Sequence, residues 1–170
     1  MGFIYDDYSG EEGILRFAEI AGDFDFGPHL PRAAFPRDFV EAYVTQFDGA
    51  SDDDEYFLAR FDNGVQVMML ESIEDPAHIH SQNAILAESA YAEAGAVILP
   101  PGYVTFGTAL EDARWQLMVC VDQGSSDYGR ITVWKRAHDA LGEGDNTQAM
   151  GFVAPNLRSF LDQLGPRSAF

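Results

Sequence analysis

The fold is decided by the stretch from Val104 to Leu164, in which VTFG (104–107) is followed by WQLMVCV (115–121), RITVWK (130–135) and PNLRSFLDQL (155–164). The second and third segments are rich in β-branched and aromatic residues and have turn formers on both sides, which predicts two β-strands. In the last segment apolar residues recur at spacings of three and four, which predicts an amphipathic helix from Pro155 to Leu164. Laying this helix on one face of a sheet buries both apolar surfaces, so we expect an α+β fold.

A β-hairpin is predicted upstream of this stretch, from Tyr56 to Leu70. Two apolar-rich runs flank Asn63-Gly64, the favoured pair for the centre of a type I′ turn. We expect the hairpin and the two downstream strands to share one antiparallel sheet that is packed with helices. At 170 residues the chain suits a single domain, residues 1–170.

Helix signals divide that domain into an N-terminal extension, residues 1–34, and a core, residues 35–164. The extension is expected to contain one short helix and an irregular connection with several prolines and glycines. In the core, Pro36 suits the first position of one helix. Asp75-Pro76 supplies the cap and the first residue of a longer helix that runs to Ala94.

The chain carries a strong negative charge, because 28 acidic and 10 basic residues give a formal net charge of −18. The charge is uneven: the residues up to Asp75 include 18 acidic and 4 basic ones. Such a field repels nucleic acid and anionic membrane surfaces and attracts a basic partner. High negative charge also keeps a protein soluble, and at the level of the sequence both interpretations stay open.

Two acidic clusters are expected to meet at the open end of the hairpin. The first cluster, Asp52 to Glu55, follows a helix end and precedes a strand, which predicts an exposed loop. It lacks the ligand spacing of a calcium-binding EF-hand. The second leaves the other strand of the hairpin, and a two-stranded ribbon brings its open ends together. A solvated acidic loop is the alternative interpretation. The predicted partner-binding residues are Asp52, Asp53, Asp54, Glu55, Glu71, Glu74 and Asp75.

No catalytic residue, cofactor or metal site is predicted. His78 and His80 are two residues apart on a helix and so lie on roughly opposite faces, which does not suit one ion. The lone Cys120 lies in an apolar strand and is interpreted as a buried, inert thiol. Trp115 and Trp134 are interpreted as core or rim residues rather than as a ligand platform. A hydrolase would need a pair of carboxylates that no motif singles out.

The order of elements and several short motifs resemble the SMI1/KNR4 superfamily, also called the SUKH family, over roughly residues 35–164. The motifs are FPRDF (35–39), FDG (47–49), VTFG (104–107), ITVW (131–134) and FVA (152–154). They are mostly packing and turn positions. The resemblance implies an α+β domain without enzymatic activity.

Bacterial members of the SUKH family look like immunity proteins, which bind and neutralise a toxin of a polymorphic or contact-dependent toxin system. Fungal relatives are scaffold-like regulatory proteins, and an intracellular scaffold is the alternative function here. The acidic charge favours a cognate toxin with a basic surface, such as a nuclease, as the partner of a monomer or weak homo-oligomer. The N-terminus lacks the features of a signal peptide, and no stretch approaches the roughly 20 apolar residues of a membrane span. We therefore expect a cytoplasmic protein with no nucleic-acid or membrane partner.

Overall fold

The computed structural model describes residues 17, 34–46, 54–87, 99–111, 114–135 and 149–170. Its elements confirm the predicted α+β class, with one antiparallel sheet and helices packed against it. In chain order they are α1 (Arg37–Gln46), β1 (Tyr56–Phe61), β2 (Gly64–Ile73), α2 (Pro76–Ala87), β3 (Tyr103–Leu110), β4 (Arg114–Cys120), β5 (Ile131–Trp134), β6 (Met150–Ala154) and α3 (Leu157–Asp162), with a 3₁₀ turn at Arg167–Ala169. Within these ranges no helix has the length and apolar character that crossing a bilayer requires.

The six strands close into an antiparallel barrel in chain order, because β6 pairs with β5 on one side and with β1 on the other. The hairpin β1–β2 and the strands β4 and β5 share this sheet, as predicted. Closure goes beyond the sequence prediction, which includes neither β3 nor β6 as a strand. The closing pair places Arg60 of β1 opposite Phe152 of β6.

Three β-bulges within the described strands help the sheet to curl. The extra residue is Glu71 where β2 faces β3, Phe106 where β3 faces β4, and Val153 where β6 faces β5. A bulge bends its strand and increases the local twist, which is what closing a sheet requires. Gly107 is needed beside the second bulge, since a Cβ atom there would collide with the backbone carbonyl oxygen of Ser72.

An aromatic cluster joins α1 and α3 to the barrel. The ring of Phe106 lies 5.2 Å from that of Phe39 in α1 and 6.5 Å from that of Phe160 in α3. Phe160 also meets Phe57 of β1 edge to face at 5.2 Å. All four side chains are completely buried. Burial of Phe160 confirms the prediction that the terminal helix covers the sheet.

Helix α3 is shorter than predicted. It spans Leu157–Asp162 rather than Pro155 to Leu164, because Asn156 acts as the N-cap and its Oδ1 accepts a hydrogen bond of 2.9 Å from the Ser159 amide. After the helix, the chain pairs with the start of β1. The amide of Tyr56 donates to the carbonyl of Gly165 at 2.8 Å, and the amide of Gly165 donates back at 3.1 Å.

The hairpin is confirmed, but its turn differs from the predicted type I′ turn. Phe61 pairs with Gly64, so the two connecting residues are Asp62 and Asn63. A type I′ turn needs positive φ at both central residues, and among the described non-glycine residues only Ala149 has positive φ. Gly64 has a φ of 142°, which a residue with a side chain rarely adopts. Gly64 is therefore the first residue of β2, where its positive φ is needed, and it is not one of the two central residues of the turn.

Helix α2 begins at Pro76, as predicted, and its remaining predicted length up to Ala94 lies outside the described residues beyond Ala87. The buried Asn83 attaches this helix to β3. Its Nδ2 donates to the carbonyl oxygens of Thr105 and Ile79, each at 2.7 Å, and its Oδ1 accepts from the Thr105 amide at 2.8 Å. The side-chain amide thus satisfies both backbone groups of one strand residue.

Replacing Phe160 by Ala should lower the free energy of unfolding by about 3–5 kcal/mol, because it leaves a cavity between Phe57 and Phe106. Urea denaturation monitored by circular dichroism measures the change. The matched control is Phe170→Ala, since Phe170 is 42% exposed, and it should change stability by less than about 0.5 kcal/mol. Equal losses in the two variants would contradict the assignment of Phe160 to the core.

Replacing Asn83 by Leu should lower the free energy of unfolding by about 2–4 kcal/mol, because both backbone groups of Thr105 lose their partner at about 1–3 kcal/mol each. Urea denaturation again provides the measurement. Ser81→Ala changes an exposed residue of the same helix and should stay within about 0.5 kcal/mol of the parent protein. If Asn83→Leu were as stable as the parent, apolar burial would outweigh these hydrogen bonds.

Candidate functional site

Some of the predicted partner-binding residues come together at the open end of the hairpin. The amide of Leu70 donates to the carbonyl of Glu55 at 2.8 Å, so the β1–β2 ladder continues one step beyond Tyr56. Continuing that register places Asp54 beside Glu71. Asp54 is exposed, whereas Glu55 and Glu71 are half-buried. We call these three residues the acidic hairpin end.

The other predicted partner-binding residues do not belong to the acidic hairpin end. Asp52 and Asp53 fall outside the described residues. Glu74 comes three residues after Glu71, about 10 Å along an extended strand. Its Oε1 accepts from Ser72 Oγ at 2.6 Å, and its carbonyl oxygen accepts from the Tyr43 hydroxyl at 2.6 Å.

Asp75 has a structural role as the N-cap of α2. Its Oδ1 accepts from the backbone amide of His78 at 2.9 Å, and its Oδ2 lies 2.9 Å from His78 Nδ1. The described partner-binding residues therefore lie in two separate places. One is the acidic hairpin end. The other is the end of β2, where Glu74 and Asp75 hold neighbouring elements together.

A basic residue borders the acidic hairpin end. The guanidinium of Arg167 lies 5.8 Å from the centroid of the Tyr56 ring, and Arg167 is exposed. Tyr56 directly follows Glu55, so Arg167 contributes one positive charge at the same end of the hairpin.

The Asp75–His78 pair shifts both ionisation equilibria. Partial burial of Asp75 favours its neutral form, but the hydrogen bonds and charge of His78 outweigh burial, so the pKa of Asp75 lies below its ordinary value. The hydrogen bond to Asp75, followed by its charge, raises the pKa of His78 above 6.5. His78 is mostly exposed, as predicted from its place at a helix start. Across the described ranges, no group of three or more potential metal ligands is brought together.

Cys120 is buried and forms no disulfide, which confirms its predicted burial. Burial raises the pKa of its thiol and so disfavours the reactive thiolate.

A cavity of about 460 Å³ lies at the opposite end of the hairpin from the acidic residues. The β1–β2 turn contributes its rim, while the first residues of β4 and β6 reach the same end of the barrel because neighbouring strands run antiparallel. Its lining residues are Phe61, Asp62, Asn63, Gln66, Trp115, Ala149 and Met150.

Trp115 belongs to the core, with 4% of its surface exposed, as predicted, yet it also lines this cavity. Sequence reasoning missed the cavity because its lining comes from three distant parts of the chain. An aromatic residue at the start of a strand and a polar Gln66 at an inward position of another strand are the only local signals.

Comparisons with known proteins identify no relative: no family model, no curated protein and no solved structure matches this chain. The resemblance to the SUKH family stays a prediction from the sequence motifs.

Replacing Asp75 by Ala should lower the free energy of unfolding by about 0.5–2 kcal/mol, because α2 loses its N-cap. Asp75→Asn keeps an acceptor for the His78 amide and removes only the charge, so it should cost less. In Asp75→Asn the pKa of His78 should return toward 6.5, which an NMR titration of the His78 ring measures. An unchanged His78 titration would contradict the pairing.

The same pair predicts a pH dependence. Because the folded-state pKa of His78 is raised, the stabilisation from its pairing is fully present below its unfolded pKa of 6.5. It is lost as the pH rises through the folded value. Ionised Asp75 is also needed, so on the acidic side the stabilisation is lost as the pH falls through the lowered pKa of Asp75. The stability difference between the parent and Asp75→Asn should therefore be larger at about pH 5.5 than at about pH 8.5, by urea denaturation at each pH.

Proposed function

We propose that the protein is a non-catalytic binding protein of the cytoplasm: an immunity protein that neutralises a toxin with a basic surface, such as a nuclease. The acidic hairpin end is the observation that carries this proposal. Strand pairing brings Asp54, Glu55 and Glu71 together at one end of the hairpin, where Asp54 is exposed and the two glutamates are half-buried. Adjacent like charges weaken folding, so their placement at one end supports use at an interface.

The net charge of −18 extends the same effect over the whole molecule. A negative field steers a positively charged partner to its binding site and speeds association, while it repels partners of the same sign. A nuclease has a basic surface for its phosphate substrate, so an acidic protein suits such a surface by charge. The motif resemblance to SUKH immunity proteins supports the same function.

The first test uses the reading frame that neighbours the gene. Its product is produced in bacteria alone and together with this protein, and the number of surviving cells is counted. We expect the product alone to stop growth and co-production to restore it. Survival of cells that produce the neighbouring product alone would argue against the immunity function and favour the scaffold alternative.

The second test removes charge at the acidic hairpin end in the triple variant Asp54→Asn, Glu55→Gln and Glu71→Gln. Its association rate with the toxin found in the first test should fall roughly tenfold at low salt, and the difference should shrink as salt is added, because screening weakens steering. Stopped-flow mixing measures the rate. The melting temperature should be unchanged or higher, since like charges no longer repel each other.

Two control variants each remove a single charge. One removes a negative charge at the far end of the same hairpin, and the other removes a positive charge. Asp62→Asn removes a carboxylate just beyond the other end of β1, seven residues from Glu55 and so roughly 23 Å away, and should leave the association rate nearly unchanged. Arg167→Gln removes the positive charge beside Tyr56 and should increase the rate. If all three variants shifted the rate by the same amount per unit of charge, total charge rather than the acidic hairpin end would direct association.

A further inference from the structure

The outer face of the β1–β2 hairpin has a regular pattern of side chains. Because residues alternate along β1, Phe57 and Ala59 point into the barrel and are completely buried, whereas Leu58 and Arg60 point outward. Strand pairing places the outward residues of β2 beside those of β1. We call the resulting pairs, together with Asp54 and Glu71, the outer hairpin face; they are Tyr56 with Met69, Leu58 with Val67 and Arg60 with Val65.

The middle of the outer hairpin face is apolar and lies outside the core. Leu58, Val67 and Met69 are half-buried, yet they belong to neither of the two hydrophobic clusters that the described residues form. Val65 is 58% exposed, more than any other large apolar side chain in the described ranges. An apolar sheet face normally packs against another layer. The outer hairpin face therefore suits an interface.

The two ends of this face carry opposite charges. Asp54 is exposed at the open end of the hairpin, beside Glu71. Arg60 is exposed near the turn and forms no ion pair within the part of the chain that the structure describes. Asp54 and Arg60 are six residues apart on one strand, or roughly 20 Å. The face therefore runs from a negative end, over an apolar middle, to a positive end.

Such a face is complementary to itself when it is reversed. Consider two copies packed face to face with their hairpins running in opposite directions, related by a two-fold axis that lies between the faces and crosses the strands. Arg60 of each copy then lies opposite Asp54 of the other, and Leu58 lies opposite Tyr56. Since an isologous interface contains each contact twice, two charge pairs flank one apolar centre. A purely basic partner matches only the Asp54 end, and a purely acidic partner matches only the Arg60 end.

We propose that a second copy of this chain docks on the outer hairpin face and forms a two-fold dimer. The net charge of −18 repels a second copy at long range, but salt at about 0.15 M screens exposed charges beyond about 8 Å. The charge pairs and the apolar centre act at contact. The face is roughly 20 Å long and two strands wide, which is less than stable complexes bury, so the dimer is reversible.

This dimer does not depend on the toxin-binding function. It covers Asp54, however, so a partner that binds the acidic hairpin end competes with the second copy. The two proposals are separable because self-association is measured on the protein alone.

Sedimentation equilibrium of the full chain at about 0.15 M salt tests the dimer. Between about 10 μM and about 1 mM protein, the average mass should rise from that of one chain toward that of two. A mass that stays at one chain throughout this range would overturn the proposal. Growth beyond two chains would also overturn it, because a two-fold interface closes on itself.

Charge reversal tests the geometry of the interface. Arg60→Glu and Asp54→Arg each create two like-charged pairs in the dimer, so each should weaken self-association roughly tenfold or more. Asp54→Arg also lowers the net negative charge by two. That change would strengthen association if total charge controlled it, so the two explanations predict opposite results. Both residues are exposed, and the melting temperature of the dilute variants should stay close to that of the parent.

Mixing these two variants should restore the dimer. In the mixed pair, the new carboxylate of Arg60→Glu faces the new guanidinium of Asp54→Arg, and the remaining Asp54 and Arg60 face each other. Arg37→Glu is the matched control, because it makes the same charge change on an exposed side chain of α1. It should self-associate like the parent. If the mixture stays monomeric, or if Arg37→Glu weakens the dimer as much as Arg60→Glu does, the outer hairpin face is not the interface.

Discussion

The return of β6 to β1 is the contact on which the rest of the structure depends. Without it, β1 would present a row of unpaired backbone groups, which open sheets leave as a site for aggregation. With it, the strand that ends the barrel runs directly into α3, and this connection carries Phe160 onto Phe57 and Phe106. One backbone pairing thus sets both the barrel interior and the position of the helix that covers it.

Closure also gives the hairpin two chemically different ends. At its open end, strand pairing brings Asp54 beside Glu71, next to Glu55, and Arg167 contacts the adjacent Tyr56 ring. At its turn, the same two strands reach the barrel mouth, where Phe61 and Gln66 line a cavity with Trp115. The ends are separated by the length of β1, so a large partner at one end leaves the other accessible.

Buried polar side chains are hydrogen-bonded where α2 packs on β3, but among the described residues two of them lack a partner at the barrel mouth. Asn83 uses its whole side-chain amide on the backbone of Thr105 and Ile79, which makes the docking of α2 rigid. Trp115 Nε1 and Gln66 Oε1 have no hydrogen-bond partner within the described structure, although both side chains line the cavity. Fully satisfied buried polar groups help to specify one packing of the core.

Local signals in the sequence determined the α+β class, the existence of the hairpin, the start of α2 at Pro76 and the burial of Phe160 and Cys120. Each of these depends on neighbours within a few positions, such as apolar periodicity or a cap beside a proline. They also placed acidic residues on both strands at the hairpin's open end.

Only the tertiary structure decided that the sheet closes, that Phe106 and Val153 are bulge residues, and that Asp75 lies at a distance from the acidic hairpin end. It alone joined residues 61–66, 115 and 149–150 around one cavity. These features come from pairing between strands far apart in the chain, where backbone hydrogen bonds carry no side-chain signature. A short strand such as β6 therefore becomes recognisable only when its partners β5 and β1 are in place.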